Sequence, residues 1–504
     1  GLSSAVIFPP TFLMGALFPI VGALMTQEIQ RLGHQLGNVY AVNTVGNILG
    51  SFLSGFVLIP VIGVPRSILI AAGFNLLAGF IVLTGAVSKR AWQKWLPAMV
   101  LAGVLALSPM VILPLWKNHI FASGVYLNPE DYTGRSVDEQ LSEEHLIYYR
   151  EGLNATVSVK ERGNVISLQV GGKTDASSGI DMMTQAFSAH LPLLFHKDPK
   201  RVLIIGLGSG VTLGHAARYP LSLLEGVEIE EAVVEGAGYF RDYNYAVLDN
   251  PAIKVHVTDG RNFLLATENQ YDVIISEPSN PWMAGVAKLF TQEFYQLAKQ
   301  RLSPDGVMVQ WAQLYTMFPE DVRLLIKTFH EEFPHVSVWS ALPGDLLLMG
   351  SQQPHQQPFV ALVSRLKEPR ILESLEVITL GHAGAIAQLF LMGNEGVELL
   401  TINETLVHTD DLPLLEFRAP KALSADWAFQ KNVEILEQFR EDPEEILIGY
   451  KKDSTDIHMH RKWARVKHLT KEPDKERQAW ERVVALEGAT TQDWLALARV
   501  QQRI

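Results

Sequence analysis

Between Gly1 and Trp116 the chain carries six charged residues: Glu28, Arg31, Arg66, Lys89, Arg90 and Lys94. That stretch has a net charge of +4, against −12 for the 504-residue chain, so the rest carries −16. A water-soluble fold cannot hide so many apolar side chains in so short a length. Four apolar segments, about 8–26, 38–60, 67–88 and 96–115, have roughly the ~20 residues that a bilayer span needs. The first holds Pro9, Pro10 and Pro19. The second carries Gly46, Gly50, Ser51 and Gly55, small residues that let helices approach closely. Asn43 and Asn47 share a face there, either as a polar site or as interhelical hydrogen-bond partners. No ionisable residue falls within a span, which argues against a proton-coupled transporter. The chain opens inside an apolar run with no basic n-region or cleavage site, so it does not read as a signal peptide, and further membrane helices are expected to precede Gly1. The basic loop 89–94 and the loop around Arg31 read as cytoplasmic, which taken literally sends the following part outside.

The acidic remainder argues against nucleic acid as a partner. There is no cysteine, hence no disulfide or thiolate metal site, and no metal is expected. His458, His460 and His468 sit among Lys and Arg and read as a solvated face. Residues 118–190 read as a connector followed by a small β-domain with strands 145–149, 155–161 and 165–170. Gly163-Asn164 makes a hairpin of the last two. Strands 201–206, 223–230, 252–257, 271–276 and 306–311 then alternate with helical stretches such as 291–301. Segments 336–339 and 345–350 close the series as a hairpin. Repeated βα units predict a mostly parallel sheet covered by helices on both faces, over residues 191–425. From 426 to 504 the pattern is helical, with Trp463, Trp480 and Trp494 recurring as in a TPR-like array.

Four polar features close four successive strands. The loop GLGSG, Gly206 to Gly210, follows the first and opens a helix, so a ligand can approach the backbone. Glu228 ends the second strand, 22 residues past Gly206, where a carboxylate can accept both ribose hydroxyls. Asp259-Gly260 follows the third, within reach of an adenine edge. Glu277 follows the fourth, at a Pro-rich turn. All four lie where open α/β sheets bind ligands. The loop is not a P-loop, and it lacks the third glycine of a dinucleotide fingerprint. The spacing favours a nucleoside held by ribose and base.

In this order and spacing, residues 145–350 resemble the spermidine/spermine synthase (polyamine aminopropyltransferase) family, within the Rossmann-like class I S-adenosylmethionine-dependent transferase fold. The matching segments are HLPLLFHKDPKRVLIIGLGSG (190–210), VEIE (227–230), DGRNFL (259–264), YDVIISEPSNP (271–281) and LFTQEFYQLAKQRLSPDGV (289–307). With AVNTVGNILG (41–50), GFVLIP (55–60) and DDLPLLEFRAP (410–420), the whole chain resembles bacterial multi-pass membrane proteins that fuse such a domain to a membrane bundle.

The resemblance implies transfer of a propylamine group from decarboxylated S-adenosylmethionine to an amine. It implies that Gly206, Gly208, Ser209, Gly210, Glu228, Asp259 and Gly260 bind the donor. Glu277 stands where the family has a catalytic Asp, one methylene longer. It places Asp175, Asp181, Gln185 and Asn280 around the acceptor. Ser209 replaces the loop Asp that grips the donor's amine, Asn280 replaces a second acid, and Thr184, Gln185 and Ala186 replace a Tyr-His-Glu run. The nucleoside half is retained and the amine half rewritten.

Three functions follow as alternatives. One is an aminopropyltransferase acting on a small-molecule amine or other nucleophile. The second is a methyltransferase using intact S-adenosylmethionine. The third is a non-catalytic nucleoside or polyamine sensor that regulates the bundle. The expected setting is a bacterial inner membrane with the lipid bilayer as partner. The donor is a cytosolic metabolite, so the soluble part is expected in the cytoplasm, against the charge rule. The small β-domain is a candidate homodimer face, and the helical tail a candidate protein-binding surface.

Overall fold

The structure is a computed structural model that describes residues 2–25, 32–86, 118–125, 144–283, 285–451 and 455–504. The expected fourth span 96–115, the basic loop 89–94, Arg31 and most of the connector lie outside the described residues. The chain divides into an N-terminal unit of apolar helices and a larger unit that holds the sheets.

In the first unit, α1 (Leu2–Met25) runs through Pro9, Pro10 and Pro19. Helix α2 (Leu32–Leu53) passes through a π-turn, Ser54–Leu58, into α3 (Ile59–Ala86). Gly63, at φ +84°, breaks the helical path inside α3. The stretches Ser4–Ala23 and Gly33–Gly79 have mean hydropathies of 1.8 and 2.1 and are long and apolar enough to cross a bilayer. The second and third expected spans thus form one helical stretch bent at a glycine, because no polar loop separates them. Within this unit Phe56, Val61 and Phe74 are more than 60% exposed. A helix that is apolar all round needs a solvent of its own kind.

The larger unit begins with a four-stranded sheet, β1 (His145–Glu151), β2 (Thr156–Arg162), β3 (Val165–Val170) and β4 (Lys173–Ser177), in that order. The expected hairpin holds: Arg162 pairs with Val165 across Gly163-Asn164, with Gly163 at φ +60°. Strand β4 was not expected, because Lys173 to Ser177 shows no apolar alternation.

The main sheet has eight strands. Five are β5 (Arg201–Ile205), β6 (Leu223–Glu228), β7 (Lys254–Val257), β8 (Tyr271–Ser276) and β9 (Leu302–Gln313). Then come β10 (His335–Trp339) and β11 (Asp345–Ser351), and, past a two-residue strand β12 (Gln357–Pro358), β13 (Phe390–Met392). Their order is β13-β10-β11-β9-β8-β5-β6-β7. Strands β5 to β9 pair in parallel, and β10, β11 and β13 antiparallel. The chain leaves β5 toward β6 and β7, then returns to its other side at β8. The β5/β8 boundary is therefore the switch point where the carboxyl ends open a crevice. This is a doubly wound α/β order, with the strand order reversing at β5.

Each face of the sheet is covered. Helix α4 (Met182–Phe195) is buried at all but one of its positions. The boundary expected at 190/191 falls inside this helix, whose Thr184 and Gln185 line the cavity described below while its apolar residues pack into the core. Trp339 is fully buried against the edges of Phe187, Phe195 and Phe390, centroids 5.1–6.3 Å away. On the other face, helix Pro319–Glu332 starts with Pro319, Glu320 and Asp321, favourable first-turn residues, and buries Val322, Leu325, Ile326 and Phe329. That is one stripe at helical spacing. Contacts also cross the boundary expected at 425/426. Asn432, in helix Asp426–Gln438, donates to the carbonyls of Leu314 and Met317, both at 2.8 Å. Strand β14 (Leu447–Ile448) pairs with β12. Beyond it, helices Ile457–Leu469, Pro473–Val484 and Thr491–Gln501 share a small core of Ala464, Ala479, Trp480, Val483, Leu497 and Val500.

Candidate active site

A cavity of about 810 Å³ opens at the switch point. Its floor is the turn after β5. Gly206 has φ +94°, and a Cβ there would lie 2.3 Å from the carbonyl oxygen of Glu277. Only glycine lets the β5 and β8 ends come this close while the Glu277 amide donates to Ile205 O at 2.8 Å. Gly206→Ala is expected to lower stability by ~2 kcal/mol or more, read by chemical denaturation; an unchanged midpoint would contradict this geometry.

Glu228, at the end of β6, is 9% exposed. Its two oxygens each accept a backbone N–H, from Leu207 and Glu230, both at 3.0 Å. These bonds fix the carboxylate and leave lone pairs on both oxygens for a ligand. Burial raises its pKa, and the two backbone bonds oppose the rise. Asp259 caps helix Gly260–Ala266 by accepting from Asn262 N at 2.9 Å. Gly260 is needed because a Cβ would meet Ile205 at 2.5 Å. Apolar side chains of Ile229, Val286 and Leu289 complete this half.

Glu277 occupies the other half. Its Oε2 accepts from Thr212 Oγ1 at 2.5 Å. Burial pushes its carboxyl up to about 7; the Ser188 and Thr212 hydroxyls hold it down, and the charge of Asp345 adds to the rise. Asp345 itself is pushed up to about 6 by burial, with Thr184 Oγ1 donating to it at 2.6 Å. Trp311 and Tyr315 stand nearby on the wall.

Of the residues expected from sequence, Gly206, Gly208, Glu228, Asp259, Gly260, Glu277, Asp175, Asp181 and Gln185 line this one cavity. Three others, Ser209, Gly210 and Asn280, are not on its lining. Ser209 is 1% exposed and turned inward, its hydroxyl donating to Gln185 Oε1 at 2.5 Å. Gly210 is the left-handed residue before helix Val211–Ala216, set against Asn244, and shapes the loop from behind. Asn280 is fully buried and lies off the cavity lining. Asp181 and Gln185 do reach the wall, but their polar groups serve the protein: Asp181 accepts from Ser177 N (2.6 Å) and Gln185 Nε2 (3.0 Å). Burial raises the Asp181 pKa. Sequence reasoning missed Thr212, Asp345, Trp311 and Tyr315, and also Lys173 and Ser279. Thr212 had a signal, as the first-turn hydroxyl after the glycine loop; Asp345 had one as the acid opening an apolar strand. Among the described residues no group of His, Asp or Glu is arranged to hold a metal.

The sequence model of the spermine/spermidine synthase domain matches residues 182–344. The spermidine synthase of Dictyostelium discoideum is 29% identical over 189 residues, 37% of this chain and 65% of that protein. The polyamine aminopropyltransferase of Erwinia tasmaniensis is 40% identical over 131 residues, 26% of this chain and 44% of that protein. The chain therefore spans less than two thirds of the length of these curated relatives. A crystal structure of spermidine synthase from Thermotoga maritima superposes with a TM-score of 0.36 at 26% identity, covering 41% of this chain and 73% of that one.

Proposed function

We propose that the chain is a membrane-anchored aminopropyltransferase of the spermidine synthase type. The observation that carries this is the pairing in one cavity of a ribose-competent Glu228 with a buried Glu277 held near neutrality. Glu228 binds the ribose diol, Asp259 an adenine edge, and the apolar wall a purine face. The sulfonium carbon of decarboxylated S-adenosylmethionine then lies toward Glu277. A neutral amine nitrogen attacks the methylene next to sulfur, a C–N bond forms, the C–S bond breaks, and methylthioadenosine leaves. Glu277 takes the proton lost by the amine, which a carboxyl titrating near 7 can both accept and release. The stretches Ser4–Ala23 and Gly33–Gly79 serve as membrane segments. A cytosolic donor puts the sheet unit on the cytoplasmic face of a bacterial inner membrane.

A second reading, methyl transfer from intact S-adenosylmethionine, is favoured by Ser209. Its hydroxyl is bound to Gln185, so the glycine loop presents no acid to a donor amine. The test is turnover by the full chain in detergent, with either donor and a panel of amines. Methylthioadenosine released from the decarboxylated donor supports the first reading. S-adenosylhomocysteine from the intact donor supports the second, and neither product refutes both.

A further inference from the structure

Strand β4 brings an ion pair into the cavity that neither reading uses. Lys173 Nζ lies 2.5 Å from Asp175 Oδ1 and 3.4 Å from Ser279 Oγ, and Ser279 donates to the same Asp175 oxygen at 2.8 Å. All three residues line the cavity wall, and the Lys173 and Asp175 side chains are 11% and 15% exposed. Asp175 acts electrostatically on Glu228, and Lys173 on Asp345. The pair therefore shares the cavity wall with Glu228, Glu277 and Asp345 and is close enough to act on two of these acids.

An ammonium is an odd group to place in a cavity meant for a polycation. It cancels Asp175, repels a second ammonium, and costs desolvation that a neutral strut would avoid. The other acids of this end are already hydrogen-bonded to the protein: Asp181 accepts from Ser177 and Gln185, Asp345 from Thr184, and Glu277 from Thr212. Among the described residues, Asp175 and Ser279 are the partners of Lys173 Nζ, which leaves one of its three N–H donors for a ligand.

Resting on the sulfonium-nucleoside reading above, we infer that Lys173 receives a carboxylate, so that a small molecule in this cavity is an amino acid and not a bare amine. The carboxylate belongs either to the donor, as in intact S-adenosylmethionine, or to the acceptor.

The test is calorimetric titration of the full chain in detergent with two matched pairs. Intact against decarboxylated S-adenosylmethionine reads the donor. Ornithine against putrescine, added to protein saturated with methylthioadenosine, reads the acceptor. One charge-assisted hydrogen bond predicts that the carboxylate-bearing member of one pair binds about tenfold tighter or more. Lys173→Met is expected to bring that ratio to about one, and Asp175→Asn, which frees the ammonium, to raise it. No preference in either pair, a preference that survives Lys173→Met, or a ratio that falls in Asp175→Asn overturns the inference. Methylthioadenosine has neither carboxylate nor amine tail, so its binding reports the nucleoside site and the folding of each variant. Failure of the wild-type chain to bind it refutes the nucleoside reading and this inference together. Normal binding without a carboxylate preference refutes the inference alone.

Discussion

Glu277→Gln is expected to lose ~10²–10⁴-fold in turnover, the range general-base catalysis supplies, while methylthioadenosine affinity changes by less than about twofold. The amide cannot accept the amine proton, yet it keeps the volume of the side chain and an oxygen for the Thr212 hydroxyl. The pH profile gives an independent check. A base must be ionised, and Glu277 is pushed up to about 7, so kcat/KM should climb with pH through about 7 and level off above it. The variant's residual rate should lack this limb.

Stability should move the opposite way. A carboxyl whose pKa is higher folded than unfolded binds more protons in the native state. Its cost is absent at pH values below the unfolded pKa, grows as pH rises, and is complete above about 7. Glu277→Gln should therefore stabilise the protein at pH 8, by at most about 3 kcal/mol, and have little effect at pH 4. Equal turnover in the variant and the wild type would sink the base assignment. Equal stability at pH 8 would contradict the buried, charged state.

Glu228→Ala is the second large effect. Two hydrogen bonds from a carboxylate to a ribose diol, at ~1.5–3 kcal/mol each, predict that methylthioadenosine binds on the order of 10²-fold more weakly or worse. Glu228 also accepts from Leu207 N and Glu230 N, so the glycine loop should loosen and the melting temperature fall modestly. Tight binding that survives the substitution would remove the ribose role. The pair of variants separates the halves of the cavity: Glu228→Ala acts on nucleoside affinity, and Glu277→Gln on the chemical step.

Sequence by itself determined the parts that depend on local pattern. Buried parallel strands read as unbroken apolar runs, so Val202 to Ile205 and Val273 to Ile275 were visible, as was the Gly163-Asn164 hairpin. Strand ends in an α/β sheet fall on one edge, so Gly206, Glu228, Asp259 and Glu277 converge once their strands are known. The apolar, nearly uncharged N-terminal stretch also showed in the sequence the long apolar helices that the structure has there.

Tertiary structure decided which way each side chain turned and what it met. Ser209 and Asn280 occupy the expected loops, but packing against Gln185 and within the protein takes them off the wall. Strand β4 carries no apolar alternation, because Lys173 to Ala176 line a cavity instead of packing into a core, and so Lys173 and Asp175 gave no strand signal. Thr212, Asp345 and Glu277 lie far apart in sequence and share one environment only after the sheet is wound. Desolvation sets the carboxyl of Glu277 near neutrality, and desolvation is a property of the surrounding fold, not of the residue's neighbours in the chain.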